Sequence, residues 1–198
     1  MEMKLFGRWD SSDVVVHDPG LKRYLSLESA GVPHTSARNA NKQFSQAEVH
    51  LVERLMNKLM VTGHEGKTHK RTSGVNSGKK MLTYRIVRDA FEIIEKRTKK
   101  NPLQVIVEAV SHASPREETT MLKYGGVAYH QSVDVSPKRR LDVALRFITG
   151  GAAKSAFKNK KSIAQALAEE IISAAKEDPK CFSISRKEEI ERIAKAAR

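Results

Sequence analysis

Helix-start signals recur along this chain and leave room for little else. At Asn101-Pro102 and Ser136-Pro137 a capping side chain stands directly before a proline, whose missing N–H and fixed φ suit the first helical position. Ser45 with Glu48, Ser162 with Gln165 and Ser185 with Glu188 have the spacing of a capping box, in which the serine oxygen accepts from the first turn and the acid or amide reaches back. Apolar residues follow at helical spacing, Val49, Val52, Leu55, Met56 and Leu59 after the first signal and Leu141, Ala144, Leu145 and Ile148 after Pro137. A further helix without a cap, at about 80–98, places Leu82, Ile86, Ala90, Ile93 and Ile94 inward. The others are read at about 46–61, from 102 until Ser114-Pro115 closes it, from 137 to Gly150-Gly151, at about 163–176 and at about 186–197. Beyond the two glycines, AAKSAFKNKKS reads as a basic connection, in part helical. Residues 1–44 mix Pro, Gly and Ser with short apolar pieces and read as an irregular N-terminal extension anchored by Phe6 and Trp9. The expected fold is therefore mostly α: a single helical domain, 45–198, of about six helices.

One stretch breaks the helical pattern. Alternating residues flank Gly125-Gly126, a pair able to take the positive φ angles of a two-residue turn, and predict a hairpin arm within 115–136, between the third and fourth helices. The register pairs Tyr124 with Val127, Leu122 with Tyr129, Met121 with His130 and Thr120 with Gln131, and neither face carries a continuous apolar row. It also sets Glu117 opposite Asp134, a like-charge pair that weakens a ribbon already marginal in water. Two readings stay open: a short hairpin folded back on the core, or an arm ordered by a partner.

Charge narrows the partner. The 198 residues carry a formal net charge of +13, and it is concentrated. Residues 61–100 hold 11 Lys/Arg against 4 Asp/Glu, and residues 136–161 hold 8 against 1, so each segment is +7 and the rest of the chain sums to −1. Two basic segments on a balanced chain suit a polyanion, because each neutralised phosphate releases condensed counterions. The second segment supplies Lys154, Lys158, Lys160 and Lys161 to the candidate surface. An anionic membrane fits less well, since no strongly amphipathic basic helix stands alone and no apolar run reaches spanning length. The opening MEMKLFGRWD lacks the apolar stretch of a signal peptide, and the single cysteine, Cys181, leaves no internal disulfide framework. A soluble, cytosolic chain is expected.

Catalytic patterns are poorly supported. Ser73, Gly78, Lys79 and Lys80 approach a phosphate-cradling loop but lack its first glycine and its magnesium-holding hydroxyl. His64 and His69 lie among cations in the glycine-rich stretch 62–80, where phosphate contact suits them better than zinc. Cys181 has no partners for a catalytic set and reads as a partly buried structural residue. The carboxylates sit in runs such as Glu169-Glu170 and Glu188-Glu189, which face different ways on a helix. Tyr124, Tyr129 and His130 gather at the hairpin tip, as rings that stack on bases or as cross-strand packing.

The order of parts is nevertheless distinctive: NKLM before a basic glycine loop, RDAFEIIEKRTKKNPLQVIVEAV, a PRE hairpin turning at GGVAY, then SPKRRLDVALRFI. Over roughly residues 45–198 this resembles the small-subunit ribosomal protein seven family, and DVVVHDPGLKRYLSL with PHTSARNANKQF resembles its archaeal and eukaryotic branch. The resemblance implies a non-enzymatic constituent of the cytoplasmic ribosome that binds 16S-type rRNA in the small-subunit head and nucleates head assembly. Neighbouring ribosomal proteins are its other partners, with no cofactor, metal, membrane or small-molecule substrate. By the same resemblance, Lys67, His69, Lys70, Arg71, Lys79, Lys80, Arg116, Lys138, Arg139, Arg140 and Arg146 are expected on rRNA. The tip residues Lys123, Tyr124, Gly125, Gly126, Tyr129 and His130 are expected near the exit-site tRNA and the mRNA. In one respect the sequence departs from bacterial members: Glu117, Glu118, Thr119 and Thr120 stand where those have a more basic first strand. A non-ribosomal RNA-binding or RNA-processing protein is the alternative; a DNA reader would need a base-reading helix face, and Arg85, Arg88, Asp89 and Glu92 provide no clear one.

Overall fold

A computed structural model describes residues 4–28, 30–38, 40–62 and 76–198. Its elements are α1 (Pro19–Lys22), a 3-10 turn (Ser45–Ala47), α2 (Leu51–Leu59), α3 (Lys80–Thr98), α4 (Pro102–Ala113), β1 (Glu117–Tyr124), β2 (Val127–Asp134), α5 (Pro137–Ala156), α6 (Ile163–Ala175) and α7 (Phe182–Ala196). The two strands form one antiparallel ribbon between α4 and α5, so the mostly helical architecture with one protruding hairpin is the one observed.

The core gathers Leu55 and Met56 of α2, Phe91 and Ile94 of α3, Leu103 and Ile106 of α4, Leu141, Leu145 and Ile148 of α5, and Leu167 and Ile171 of α6. Helix α6 is its central member, packing on α3, α4 and α5. The chain before residue 45 enters the same core with Leu5, Trp9, Leu21 and Leu25. Trp9 lies edge-on to Phe91 at 5.6 Å and donates its indole N–H to Glu95 at 3.2 Å. Gln104 of α4 both donates to the Val15 carbonyl and accepts from its N–H, so one side chain holds extended backbone as a neighbouring strand would.

Four expectations about the helices change. The first helix begins at Leu51, behind His50, and the Ser45/Glu48 pair opens only the 3-10 turn. Leu51 N–H donates to the Ser26 carbonyl at 3.0 Å, and Ser26 pairs with His50 as extended chain, so no helix can run through residue 50. The His50 imidazole caps α2 by accepting from Val52 N–H at 3.1 Å. Burial pushes its pKa down to about 4, against the pull of nearby Glu53, and keeps it neutral.

In α3 the buried stripe is Thr83, Val87, Ala90, Phe91 and Ile94, while Leu82 is exposed. An apolar count passes over Thr83, whose hydroxyl is satisfied within the helix by the Lys80 carbonyl at 2.8 Å. Helix α5 runs through Gly150-Gly151 to Ala156, because α6 lies so close that a Cβ on Gly151 would sit 2.6 Å from the Glu170 carboxyl. Finally, α7 begins at Phe182, not near Ser185. Its first turn is capped from another element: Glu170 of α6 accepts from Ser183 N–H at 2.9 Å, from Ser183 Oγ at 2.5 Å and from Cys181 Sγ at 3.0 Å. By contrast, Asn101 accepts from Leu103 N–H, and Ser162 with Gln165 forms a complete capping box, as the sequence predicts.

Candidate nucleic-acid interface

The hairpin base and the start of α5 build one electrostatic unit. The ladder has the predicted register throughout, from Glu117 opposite Asp134 to Tyr124 opposite Val127, and Gly125 and Gly126 turn it with φ of 55° and 87°. The two acids at the start of the first strand are both engaged. Glu117 bonds the Arg198 guanidinium, and Glu118 takes a bidentate pair from Arg139 at 2.6 and 2.7 Å. That hydrogen bond, with the charges of Arg139 and Arg146, outweighs burial and holds the Glu118 carboxyl below the usual range. The base is also tied to α7, through Arg116 N–H to Glu191 at 3.0 Å and Ser132 N–H to the Ala197 carbonyl at 3.3 Å. Helix α7 thus takes the covering role that a third strand would have played.

Arg139 and Arg146, seven residues apart on α5, are both exposed and share a face. Arg140 points the other way. It is 9 % exposed and donates to Asp18 at 2.7 Å and to Ser114 Oγ at 3.1 Å. Burial opposes the charge on Asp18, but the Arg140 hydrogen bond and charge overcome it and keep the carboxylate ionised. Asp18 also caps α1, accepting from Gly20 N–H at 2.9 Å ahead of Pro19. This is the same cap-plus-proline device as Asn101-Pro102, and Asp18-Pro19 is its signal in the sequence. A second buried pair, Arg54 with Asp142 at 3.1 Å, binds α2 to α5, and Arg54 also donates to the Tyr24 carbonyl.

The remaining cations divide by what they already hold. Lys80 bonds the buried carboxylate of Glu53, and Lys161 pairs with Glu169 at 2.8 Å, a carboxylate that Arg97 also reaches at 3.4 Å. Lys154 lies 4.2 Å from the Phe182 ring centre. Among the described residues, Lys79, Arg116, Lys138, Arg146, Lys158 and Lys160 make no ion pair. Lys67, His69, Lys70 and Arg71, like His64 and Ser73, lie outside the described residues.

At the tip, Lys123, Tyr124, Gly125, Gly126, Tyr129 and His130 are all exposed. Tyr124 and Tyr129 pack across the strands with ring centres 6.4 Å apart, yet are 67 % and 55 % exposed. Cross-strand packing and an open ring surface therefore coexist. Leu122, Tyr124, Val127 and Tyr129 share one face of the tip.

Cys181 is buried, and burial followed by its hydrogen bond to Glu170 pushes its thiol up to about 11, which makes it a structural residue and no nucleophile. No helix among the described residues is long and apolar enough to cross a membrane. Fold and surface together define a helical scaffold that presents cations and one aromatic-tipped arm, the class of protein that binds a polyanion by its surface.

Comparison with known proteins makes this specific. Residues 21–198 match the family described as ribosomal protein S7p/S5e. Small ribosomal subunit protein uS7 of Archaeoglobus fulgidus is 51% identical over the whole chain and 96% of its own length. The proteins of the same name from Methanosphaera stadtmanae and Methanococcus aeolicus are 51% and 52% identical, with full coverage of both chains. The chain belongs to the ribosomal protein S7p/S5e family, in its archaeal and eukaryotic branch.

Proposed function

We propose that this protein is a non-enzymatic constituent of the small ribosomal subunit that binds 16S-type rRNA in the head, nucleates head assembly and works in the cytoplasm as part of the ribosome. The observation that carries this reading is a set of cations that make no ion pair among the described residues, Lys138, Arg146, Lys158 and Lys160, along α5 and the chain after it, in a member of the S7p/S5e family. Arg116 and Lys79, which also make no ion pair among the described residues, and by family resemblance the basic residues Lys67, His69, Lys70 and Arg71 of the sequence, are proposed to contact the same RNA. Lys80, Lys154 and Lys161 contribute field from positions held by protein partners. Arg139 orients Glu118 and the hairpin base as well as facing outward, and Arg140 supports the surface from beneath through Asp18. The arm carries Lys123, Tyr124, Tyr129 and His130 away from the helices, toward the exit-site tRNA and the mRNA, with neighbouring ribosomal proteins beside it.

The test is binding of the full chain to a head-domain fragment of small-subunit rRNA and to an unrelated structured RNA of equal length, each across a salt series. A preference of about a thousandfold that persists at high salt is expected. Replacing Lys138, Arg146, Lys158 and Lys160 by glutamine should weaken binding and flatten the salt slope by roughly one unit per lost phosphate contact, with helical content unchanged. Equal affinities for both RNAs would refute the reading.

A further inference from the structure

Phe44 makes no contribution to the core, yet the chain is strained to present it. Its ring is 76 % exposed. Its backbone is left-handed, with φ of 61° and ψ of 6°, a conformation that suits glycine or asparagine and disfavours a bulky side chain. The surrounding turn imposes that geometry: Ser45 N–H donates to the Lys42 carbonyl at 3.3 Å, and Ala47 N–H donates to the Phe44 carbonyl at 3.2 Å. Immediately afterwards Ser45 is buried and the chain turns toward α2. Glycine would meet the backbone requirement without strain, so the phenylalanine ring is not there for the fold.

The residues leading to it share this character. Within SARNANKQF, residues 36–44, every described residue is exposed, and Ser36 and Ala37 are also left-handed, with φ of 52° and 57°. Arg38 and Lys42 add only two charges, so a map of basic segments passes the stretch over. Its start is fixed beside the proposed RNA surface. Thr35 donates its N–H at 2.9 Å and its hydroxyl at 3.2 Å to Glu53, the carboxylate that also holds Lys80 where α3 begins.

We propose that Phe44 is a nucleobase-stacking residue: an unpaired base of the bound RNA lies on its ring, beside Arg38, whose Nε donates to the Thr35 carbonyl at 3.1 Å, and Lys42, which is paired with Glu48 at 2.9 Å. This rests on the rRNA-binding reading above and adds to it a contact that depends on a π surface instead of charge. Stacking on an aromatic ring is sequence-tolerant and insensitive to counterions, which gives the contact a signature of its own.

The experiment compares Phe44→Gly, Phe44→Trp and the parent chain in urea denaturation and in binding to the head-domain rRNA fragment across a salt series. Phe44→Gly is expected to be at least as stable as the parent, since the left-handed strain is relieved, and to bind about tenfold or more weakly with an unchanged salt slope. Phe44→Trp is expected to keep the affinity, with its emission quenched by RNA beyond any change from Trp9. A Phe44→Gly chain that binds as tightly as the parent overturns the proposal, and leaves a protein neighbour as the occupant of the ring. One that loses stability overturns it in favour of a packing role. If the glutamine variants of Lys138 and Arg146 lose affinity while Phe44→Gly does not, only the stacking proposal fails. If parent binding shows no preference for the head fragment, the wider reading fails.

Discussion

Replacing Gly151 by alanine probes how α5, α6 and α7 are joined. In a helix interior alanine is ordinarily better than glycine by about 1 kcal/mol. At position 151 the new Cβ would lie 2.6 Å from Glu170 Cδ and Oε1, closer than atoms can approach, so the carboxylate must swing away. That carboxylate accepts from Ser183 N–H, Ser183 Oγ and Cys181 Sγ, and it is what caps α7. Losing a helix cap costs about 0.5–2 kcal/mol, and hydrogen bonds to a charged acceptor are worth about 1.5–3 kcal/mol each. Partial retention by a flexible glutamate sets the net loss at about 1–3 kcal/mol after the propensity gain. For a chain of this size that lowers the melting midpoint by roughly 3–9 °C. The neighbouring change, Gly150→Ala, meets only Phe182 Cε1 at 3.7 Å, an ordinary contact, and should stabilise by up to about 1 kcal/mol. Urea and thermal unfolding followed by circular dichroism read both signs. In a Glu170→Ala background the Gly151→Ala penalty should vanish, which completes a double-mutant cycle. Equal stability of the two alanine variants, or an undiminished penalty without Glu170, would refute the close-approach reasoning.

Other consequences are as direct. Arg140→Met leaves Asp18 buried without its cation and should destabilise by about 3 kcal/mol, with earlier proteolysis before residue 45 as the sign that α1 has come loose. His50 has a folded pKa of about 4 against an unfolded value near 6.5, so only the unfolded state takes up a proton between them. Stability from this group is therefore complete above about pH 6.5 and falls by on the order of 3 kcal/mol as pH drops to 4; an otherwise intact His50→Asn variant, whose amide oxygen can cap the helix, should show a flatter profile over that window. Glu118→Gln removes the bidentate partner of Arg139, a partly exposed pair, so stability should change by less than about 1 kcal/mol. Affinity for RNA should rise, because one more guanidinium is released to phosphate; unchanged affinity would place Arg139 outside the interface.

Legibility from sequence followed the range of the interactions. Asn101 and Ser162 cap helices through bonds to their own next two or three residues, and the hairpin register follows from two glycines and a period of two, so local spacing was enough. Ser45/Glu48 and Ser185/Glu188 have the same local pattern and open no α-helix where predicted, because Ser26 holds His50 extended and Glu170 starts α7 four residues early. Arg139 and Arg140 are adjacent and chemically identical in sequence. Only their opposite directions on α5 decide that one faces outward beside Glu118 and the other is buried on Asp18, 122 residues away in the chain.

The amino-acid sequence by itself determined the helical class, the hairpin with its register, the two basic segments and the family, since each depends on neighbours within a few residues or on composition. Tertiary structure decided which cations remain available, what caps α2 and α7, and that Phe44 stands in solvent on a strained backbone. Those outcomes depend on groups far apart in the chain meeting in space, where a carboxylate such as Glu53, Glu118 or Glu170 can satisfy only the partners that packing brings to it.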